Sequence, residues 1–431
     1  MHYYSLNHKA PKVSFQEAVV QGLAPDRGLY FPENITPLPA SFFDNIENLS
    51  KEEIAFTAIQ QFVGDEIPEV ELKRIIAETL CFDFPCVPVE DSIYALELYH
   101  GPTMAFKDVG ARFMSRCLGY FNRNDDKKIT VLVATSGDTG GAVASGFLGV
   151  KGVNVVILYP SGKVSDIQER QLTTLGQNIR ALEVDGVFDD CQDMVKQAFL
   201  DKSMQALNLT SANSINIARW LPQMFYIFLA YQQLKKHHKP IILSCPSGNF
   251  GNICAGIMAK RLGLPISHFI AATNVNDTVP RFLTNGSYEP KASIATISNA
   301  MDVGNPSNFI RIQELYQNDL TEFHKDFSSY SFSDSETETT LKDLYTRTHY
   351  IAEPHGAVGY LGLQKEMASH PNSIGVFLET AHPIKFLDTV EPLLGITLTI
   401  PSQIESVLHK DKVATKIKSY QELKDYLTKE F

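Results

Sequence analysis

The sequence predicts an α/β protein, a mainly parallel sheet with helices on both faces, and three observations predict it. From about residue 91 onward, short β-branched runs lead into Gly-containing turns and then helical patterns. Examples are ITVLVATSGDTGGAVASGFLGVKG (129–152), VNVVILYP (153–160), KPIILSCPSGNFGNICAGIMAKRLGLP (239–265) and SIGVFLETAHPIKF (373–386). Strands separated by helices pair in parallel rather than as hairpins. Three of these four units place polar or Gly-rich turns at the strand's carboxyl end, where open sheets of this kind bind ligands. The composition, 44% hydrophobic and 20% charged over 431 residues, is that of an ordinary folded chain with room for two or three domains.

Ahead of the alternating part, residues 1–90 carry short helical patterns such as VSFQEAVVQGL and KEEIAFTAIQQFVG, joined by Pro-rich stretches such as FPENITPLP. This predicts a mainly helical leading region. SSYSFSDSETETT (328–340) has no apolar period and is expected to be a surface loop or helix lead-in. No internal repeat is visible.

The balance of 38 basic and 49 acidic side chains gives a net charge of −11, which argues against nucleic acid or an anionic membrane as the main partner. The six cysteines form no CxxC pair and no zinc-ligand spacing, so free thiols and no metal centre are expected. The first residues, MHYYSLNHKAP, lack a signal pattern. The longest apolar runs, such as FYIFLAY (225–231), fall far short of the ~20 residues that span a bilayer. A cytoplasmic protein without a membrane segment is expected.

Two turns invite an anion. In PSGNFGN (246–252) the glycines allow a tight turn that exposes consecutive N–H groups, and the following helix adds its positive end. That is a phosphate cradle, or else an ordinary strand-to-helix turn with an Asn cap. No Gly-Lys-Ser/Thr closes it, so it is not a nucleotide-hydrolysing loop. In TSGDTGG (135–141) the hydroxyls of Thr135, Ser136 and Thr139 with the N–H groups of a helix start suit a carboxylate. Its single Asp-Thr-Gly triplet does not make an aspartic protease, which needs two carboxylates sharing a proton.

Lys107, in HGPTMAFKDVGARFM (100–114), stands among small and apolar residues. A lysine so placed is either a surface residue paired with Asp108 or Asp125, or one whose ammonium is destabilised and whose neutral amine can act as a nucleophile. A phosphate cradle, a carboxylate turn and such a lysine on one α/β scaffold together match a pyridoxal 5'-phosphate site that handles an amino acid.

The chain resembles the threonine synthases nearly end to end. The likeness is carried by YYS (3–5), GLAPDRGLYFPE (22–33), HGPTMAFKDVGARFM, ATSGDTGGAVA, NSINIAR (213–219), PSGNFGN, SNAMDVGNPSNF (298–309), EPHGAVGY (353–360) and ETAHPIKF (379–386). The resemblance implies the second fold type of pyridoxal-phosphate enzymes, similar to the tryptophan synthase β subunit, in the branch with an extra N-terminal region. It implies that region over 1–90, a large cofactor domain from 91–120 and 236–431, a small α/β domain over 121–235, and an active site between the two. The implied reaction converts O-phospho-L-homoserine and water to L-threonine and phosphate, in a monomer or weak homodimer. By motif, Lys107 resembles the lysine that binds the cofactor aldehyde, and Gly248, Asn249, Phe250, Gly251 and Asn252 resemble the loop on its phosphate. Thr380 resembles the hydroxyl facing the pyridine nitrogen, which a neutral partner would leave less protonated than an Asp would.

By the same resemblance, Asp138 stands where related fold members often carry Asn beside the ring hydroxyl, and an ionised carboxylate there would repel the phenolate unless it is protonated or turned away. For the substrate phosphate the cationic choices are Lys163, Arg219 with Asn216 ahead of it, and Lys385. His355 and His382, before Gly and Pro, are expected to be structural. A β-eliminating dehydratase, a β-replacing synthase, or a silent relative that binds a phosphorylated metabolite remain alternatives at this level.

Overall fold

The computed structural model describes residues 1–124 and 128–431. Two sheets organise them. The larger has six strands in the order Phe327–Ser331, Ile266–Thr273, Ile241–Pro246, Ile374–Glu379, Ile93–Glu97 and Cys86–Glu90, parallel except for the last pair. The smaller has five parallel strands, Thr415–Ile417, Ile179–Val184, Val153–Pro160, Ile129–Ala134 and Leu209–Ser211. Central strands such as Ile129–Ala134, Ile241–Pro246 and Ile374–Glu379 are buried along their whole length. Their continuous apolar runs, rather than alternating ones, are what burial on both faces demands.

The leading region holds the helices Phe15–Gln21, Lys51–Val63 and Glu69–Thr79, two of them opened by capping boxes at Ser14 and Ser50. It also holds a small antiparallel pair, Tyr3–Ser5 with Tyr30–Pro32. The apolar run FYIFLAY becomes the helix Met224–Leu234, which packs between Lys51–Val63 and Gly251–Arg261. Being apolar all round, it needs neighbours on every side. Among the described residues no helix is long and apolar enough to cross a membrane.

Three differences from the sequence reading have simple causes. Strand Cys86–Glu90 lies within the segment expected to be helical, and its edge position tolerates Pro88. The Ser-rich segment begins as an edge strand, Phe327–Ser331, because its backbone pairs with Ile266–Thr273, and Ser329 Oγ adds a bond to the Ala271 carbonyl at 2.8 Å. Its acidic half is the helix Asp334–Thr348, capped by Ser333. Thr415–Ile417, placed by the sequence reading with the larger domain, pairs instead with Ile179–Val184 of the smaller sheet, and the helix Tyr420–Glu430 follows it there.

Candidate active site

Strand ends from both sheets meet at one cavity: Ala134 and Thr135 from the smaller sheet, Pro246 and Thr380 from the larger. Lys107, Ser136, Asp138, Thr139, Asn213, His355 and the whole loop Gly248–Asn252 complete the wall. Lys107 opens the helix Lys107–Phe121, and the preceding Phe106 N–H donates to the Thr380 carbonyl at 2.9 Å. That bond seats the lysine beside the end of the central strand Ile374–Glu379.

The Lys107 Nζ sits 4.4 Å from the centre of the Phe106 ring. Burial, and after it the Arg219 guanidinium, push its pKa down to about 8, against the opposing pull of Asp138. Asp108 is no partner for it, since the Asp108 carboxylate takes Thr103 N at 2.9 Å and Thr103 Oγ1 at 2.6 Å. Asp125 lies outside the described residues.

The loop Gly248–Asn252 is shaped for an anion. None of its five backbone N–H groups has a protein acceptor among the described residues, and the helix Gly251–Arg261 starts here with its positive end. Phe250 is held at φ +60°, a left-handed conformation uncommon for a side chain of its size. Asn252 Nδ2 donates to the Pro246 carbonyl at 2.8 Å and Asn249 Oδ1 accepts from Ser307 N at 3.2 Å, so these side chains brace the loop. Gly248 allows close approach of the chain around Ala300 and Met301, where a Cβ would lie 2.7 Å from the Ala300 oxygen and 2.8 Å from the Met301 Cα.

The second turn differs from expectation in one residue. The Thr135 hydroxyl accepts from Gly137 N at 3.0 Å and Gly140 N at 2.9 Å and donates to the Gly137 carbonyl. It is consumed in folding the turn and is not available to a carboxylate. Ser136 and Thr139 keep free hydroxyls among the described residues, and the N–H groups of Ser136, Asp138 and Thr139 have no protein acceptor there.

Asp138 Oδ1 takes Lys385 Nζ at 2.6 Å and Gln168 Nε2 at 3.1 Å. Burial alone would raise its pKa, but the Lys385 charge and hydrogen bond, then Gln168, hold it below the ordinary carboxylate range. Asp138 is therefore ionised and paired, which the sequence left open.

This pairing also removes Lys385 from the phosphate clamp, because its side chain is fully buried and committed to Asp138. The other clamp choices fare no better. Lys163 is exposed on the turn after Val153–Pro160, outside the cavity wall. Asn216 caps Ile217–Trp220 and spends its amide on the Val19 and Ser211 carbonyls at 2.8 and 3.2 Å. Arg219 lies buried behind Lys107, with one long bond from Nη1 to the Lys107 carbonyl at 3.5 Å and no partner for Nε among the described residues. Burial lowers its pKa to about 10.

Around Thr380 the sequence reading missed a carboxylate network. Thr380 Oγ1 donates to Glu353 Oε1 at 3.2 Å, so its open side offers lone pairs rather than a proton. Glu353 Oε2 also meets His355 Nδ1 at 2.5 Å, while His355 Nε2 accepts from Ala300 N at 3.1 Å. Both ring nitrogens are thus engaged, and His382 likewise uses Nδ1 to accept from Ile384 N at 3.0 Å. The carboxyl pKa of Glu379, wholly buried, is pushed up first by burial and then by the Glu353 charge. The signal available in the sequence was EPHG itself, two acid–base residues flanking a proline at a helix start.

Comparison with known proteins identifies the family of the chain. A family model described as pyridoxal-phosphate dependent enzyme matches residues 76–378, and models described as threonine synthase N terminus and threonine synthase, C-terminal match residues 2–80 and 356–427. The chain is 47% identical over 410 residues to threonine synthase of Haemophilus influenzae, covering 94% of each. Its structure is similar to that of threonine synthase from Escherichia coli, with a TM-score of 0.94, 43% identity and 100% of both chains covered. It is also similar to a PLP-bound threonine synthase from Brucella melitensis, with a TM-score of 0.93, 34% identity and 99% and 98% of the two chains covered.

Proposed function

The chain belongs to the threonine synthases, pyridoxal-phosphate-dependent lyases of amino-acid biosynthesis, and on that premise we propose how its own residues carry out their reaction. O-phospho-L-homoserine and water become L-threonine and phosphate. The observation that carries the assignment of roles is the lysine of lowered pKa sharing one cavity with five N–H groups that have no protein acceptor among the described residues.

Pyridoxal phosphate, when bound, supplies the electron sink that lets a proton leave the carbon bearing the amino group. The N–H groups of Gly248–Asn252 and the positive end of Gly251–Arg261 are the seat for its phosphate. Lys107 is the residue for its aldehyde. The same amine moves protons at the substrate: off Cα, then off Cβ as phosphate leaves Cγ, next onto Cγ, and back onto Cα once water has added its hydroxyl at Cβ. Ser136 and Thr139, with the N–H groups opening Asp138–Phe147, hold the substrate carboxylate. Thr380, its proton committed to Glu353, offers an acceptor to the ring nitrogen, which favours a protonated ring more than the sequence reading expected.

Arg219 acts on Lys107 rather than on the departing phosphate, since it lies behind the lysine and destabilises the ammonium. Arg219→Met is expected to shift the pH midpoint of cofactor capture by apoenzyme upward, toward the ordinary lysine range of about 10.4. An unchanged midpoint rejects that role. Gly248→Ala forces a Cβ against backbone, an overpacking cost of about 1–3 kcal/mol. Titration with pyridoxal phosphate is expected to show affinity reduced about 10- to 100-fold at unchanged turnover under saturation.

The function itself is tested by incubating the purified enzyme with O-phospho-L-homoserine and measuring phosphate and threonine together. Equal amounts of both are expected. Release of 2-oxobutanoate instead of threonine would make the protein a dehydratase.

A further inference from the structure

A cluster on the larger sheet has no part in this chemistry. His268 stands near the start of strand Ile266–Thr273, Glu366 in the last turn of helix Pro354–Met367, and His370 just beyond that helix. The cavity lies at the opposite, carboxyl ends of the strands, roughly 16 Å away along the five residues from His268 to Thr273. One ligand atom from each of the three side chains falls within 4.8 Å of the others.

We propose that His268, Glu366 and His370 bind a divalent cation of the zinc class. His268 Nε2 and His370 Nδ1 lie 3.6 and 3.5 Å from the same oxygen, Glu366 Oε1. Those separations are too long for hydrogen bonds. They are close to the edge of about 3.3 Å that bonds of about 2.0–2.1 Å make around a tetrahedral ion. Two imidazoles and a carboxylate are a ligand set that zinc accepts, with water in the fourth position.

The carboxylate is oriented for this. Glu366 Oε2 accepts from Ser328 Oγ at 2.7 Å and Tyr330 OH at 2.8 Å, which leaves Oε1 turned to the two rings. Such outer partners are what fix a metal-binding carboxylate. Glu366 and His370 are four residues apart, so the end of the helix presents both on one side. His268 and Glu366 are each 8% exposed, while the His370 side chain is 36% exposed and gives the ion its way in.

Without the ion, His268 Nε2 contacts Ser328 Oγ at 2.9 Å and His370 Nδ1 the Glu366 carbonyl at 3.2 Å. On binding, each ring gives that nitrogen to the metal, and the proton it donated there moves to the other ring nitrogen. The ion then ties the helix end to strand Ile266–Thr273 and, through Ser328 and Tyr330, to the edge strand Phe327–Ser331. Its part is to brace the sheet.

The test strips the holoenzyme with a chelator and adds Co²⁺, read by visible absorption, then Zn²⁺ in competition. One Co²⁺ per chain with the intense bands of a low-coordinate site, displaced by Zn²⁺, is expected. His370→Ala, at a half-exposed position outside the helix, is expected to abolish the bands. Tyr330→Phe, which frees the carboxylate, is expected to weaken uptake about tenfold or more. Absence of uptake, or uptake that His370→Ala leaves unaltered, overturns the proposal.

Discussion

Lys107→Ala is expected to lower turnover of O-phospho-L-homoserine by about 10⁴-fold or more, and to abolish the visible cofactor band, while leaving the protein folded. Proton transfer by a positioned side chain contributes up to about 10⁴-fold by itself, and this lysine serves the cofactor aldehyde as well. The fold survives because the ammonium makes no side-chain hydrogen bond or ion pair among the described residues and is destabilised where it sits. Removing it takes away a charge the interior disfavours.

The lowered pKa adds a second, graded readout. Capture of pyridoxal phosphate by apoenzyme requires the neutral amine, so its rate is expected to rise about tenfold per pH unit below about pH 8 and level off above it. Stopped-flow absorbance across pH gives the midpoint directly. A midpoint near that of a free lysine, or an alanine variant that still turns over within tenfold of wild type, refutes the assignment.

The parts of this site legible in the sequence are those where the backbone does the work. PSGNFGN announces a turn and a helix start wherever it occurs, and its N–H groups point as the turn dictates, whatever the rest of the fold. Lys107 was legible through its apolar company. The cationic clamp was not, because a lysine or arginine in a string carries no sign of its partner. Lys385 lies in ETAHPIKF beside the cavity strand, yet its ammonium is 2.6 Å from a carboxylate 247 positions earlier. Arg219 sits close to Lys107 in space and 112 residues away in sequence. Thr135 and Asn216 misled for a related reason: short polar side chains bond their own backbone as readily as a ligand. The edge strand Phe327–Ser331 was hidden because its pairing comes from a neighbour rather than from its own periodicity.

Lys385→Met tests the electrostatic frame of the site and is expected to be the most destabilising of these substitutions. It strips the principal counter-charge from a buried Asp138 carboxylate, leaving Gln168 alone to bond it, and breaking such a pair from one side costs about 3–5 kcal/mol. Asp138 has a folded pKa below its unfolded one. In the wild type it therefore contributes stability above the unfolded value of about 3.9, and this is lost as pH falls through the folded pKa. In the variant the sign reverses. Burial, no longer opposed by the lysine, pushes Asp138 up, and lowering the pH from neutral protonates it and narrows the deficit. Urea denaturation at several pH values should show the gap between wild type and Lys385→Met shrinking with acid. Adding Asp138→Asn should restore most of the lost stability at neutral pH, since a neutral pair needs no counter-charge. A gap independent of pH, with no rescue in the double variant, would mean that Lys385 stabilises by packing its methylene stem and that the ion pair contributes little.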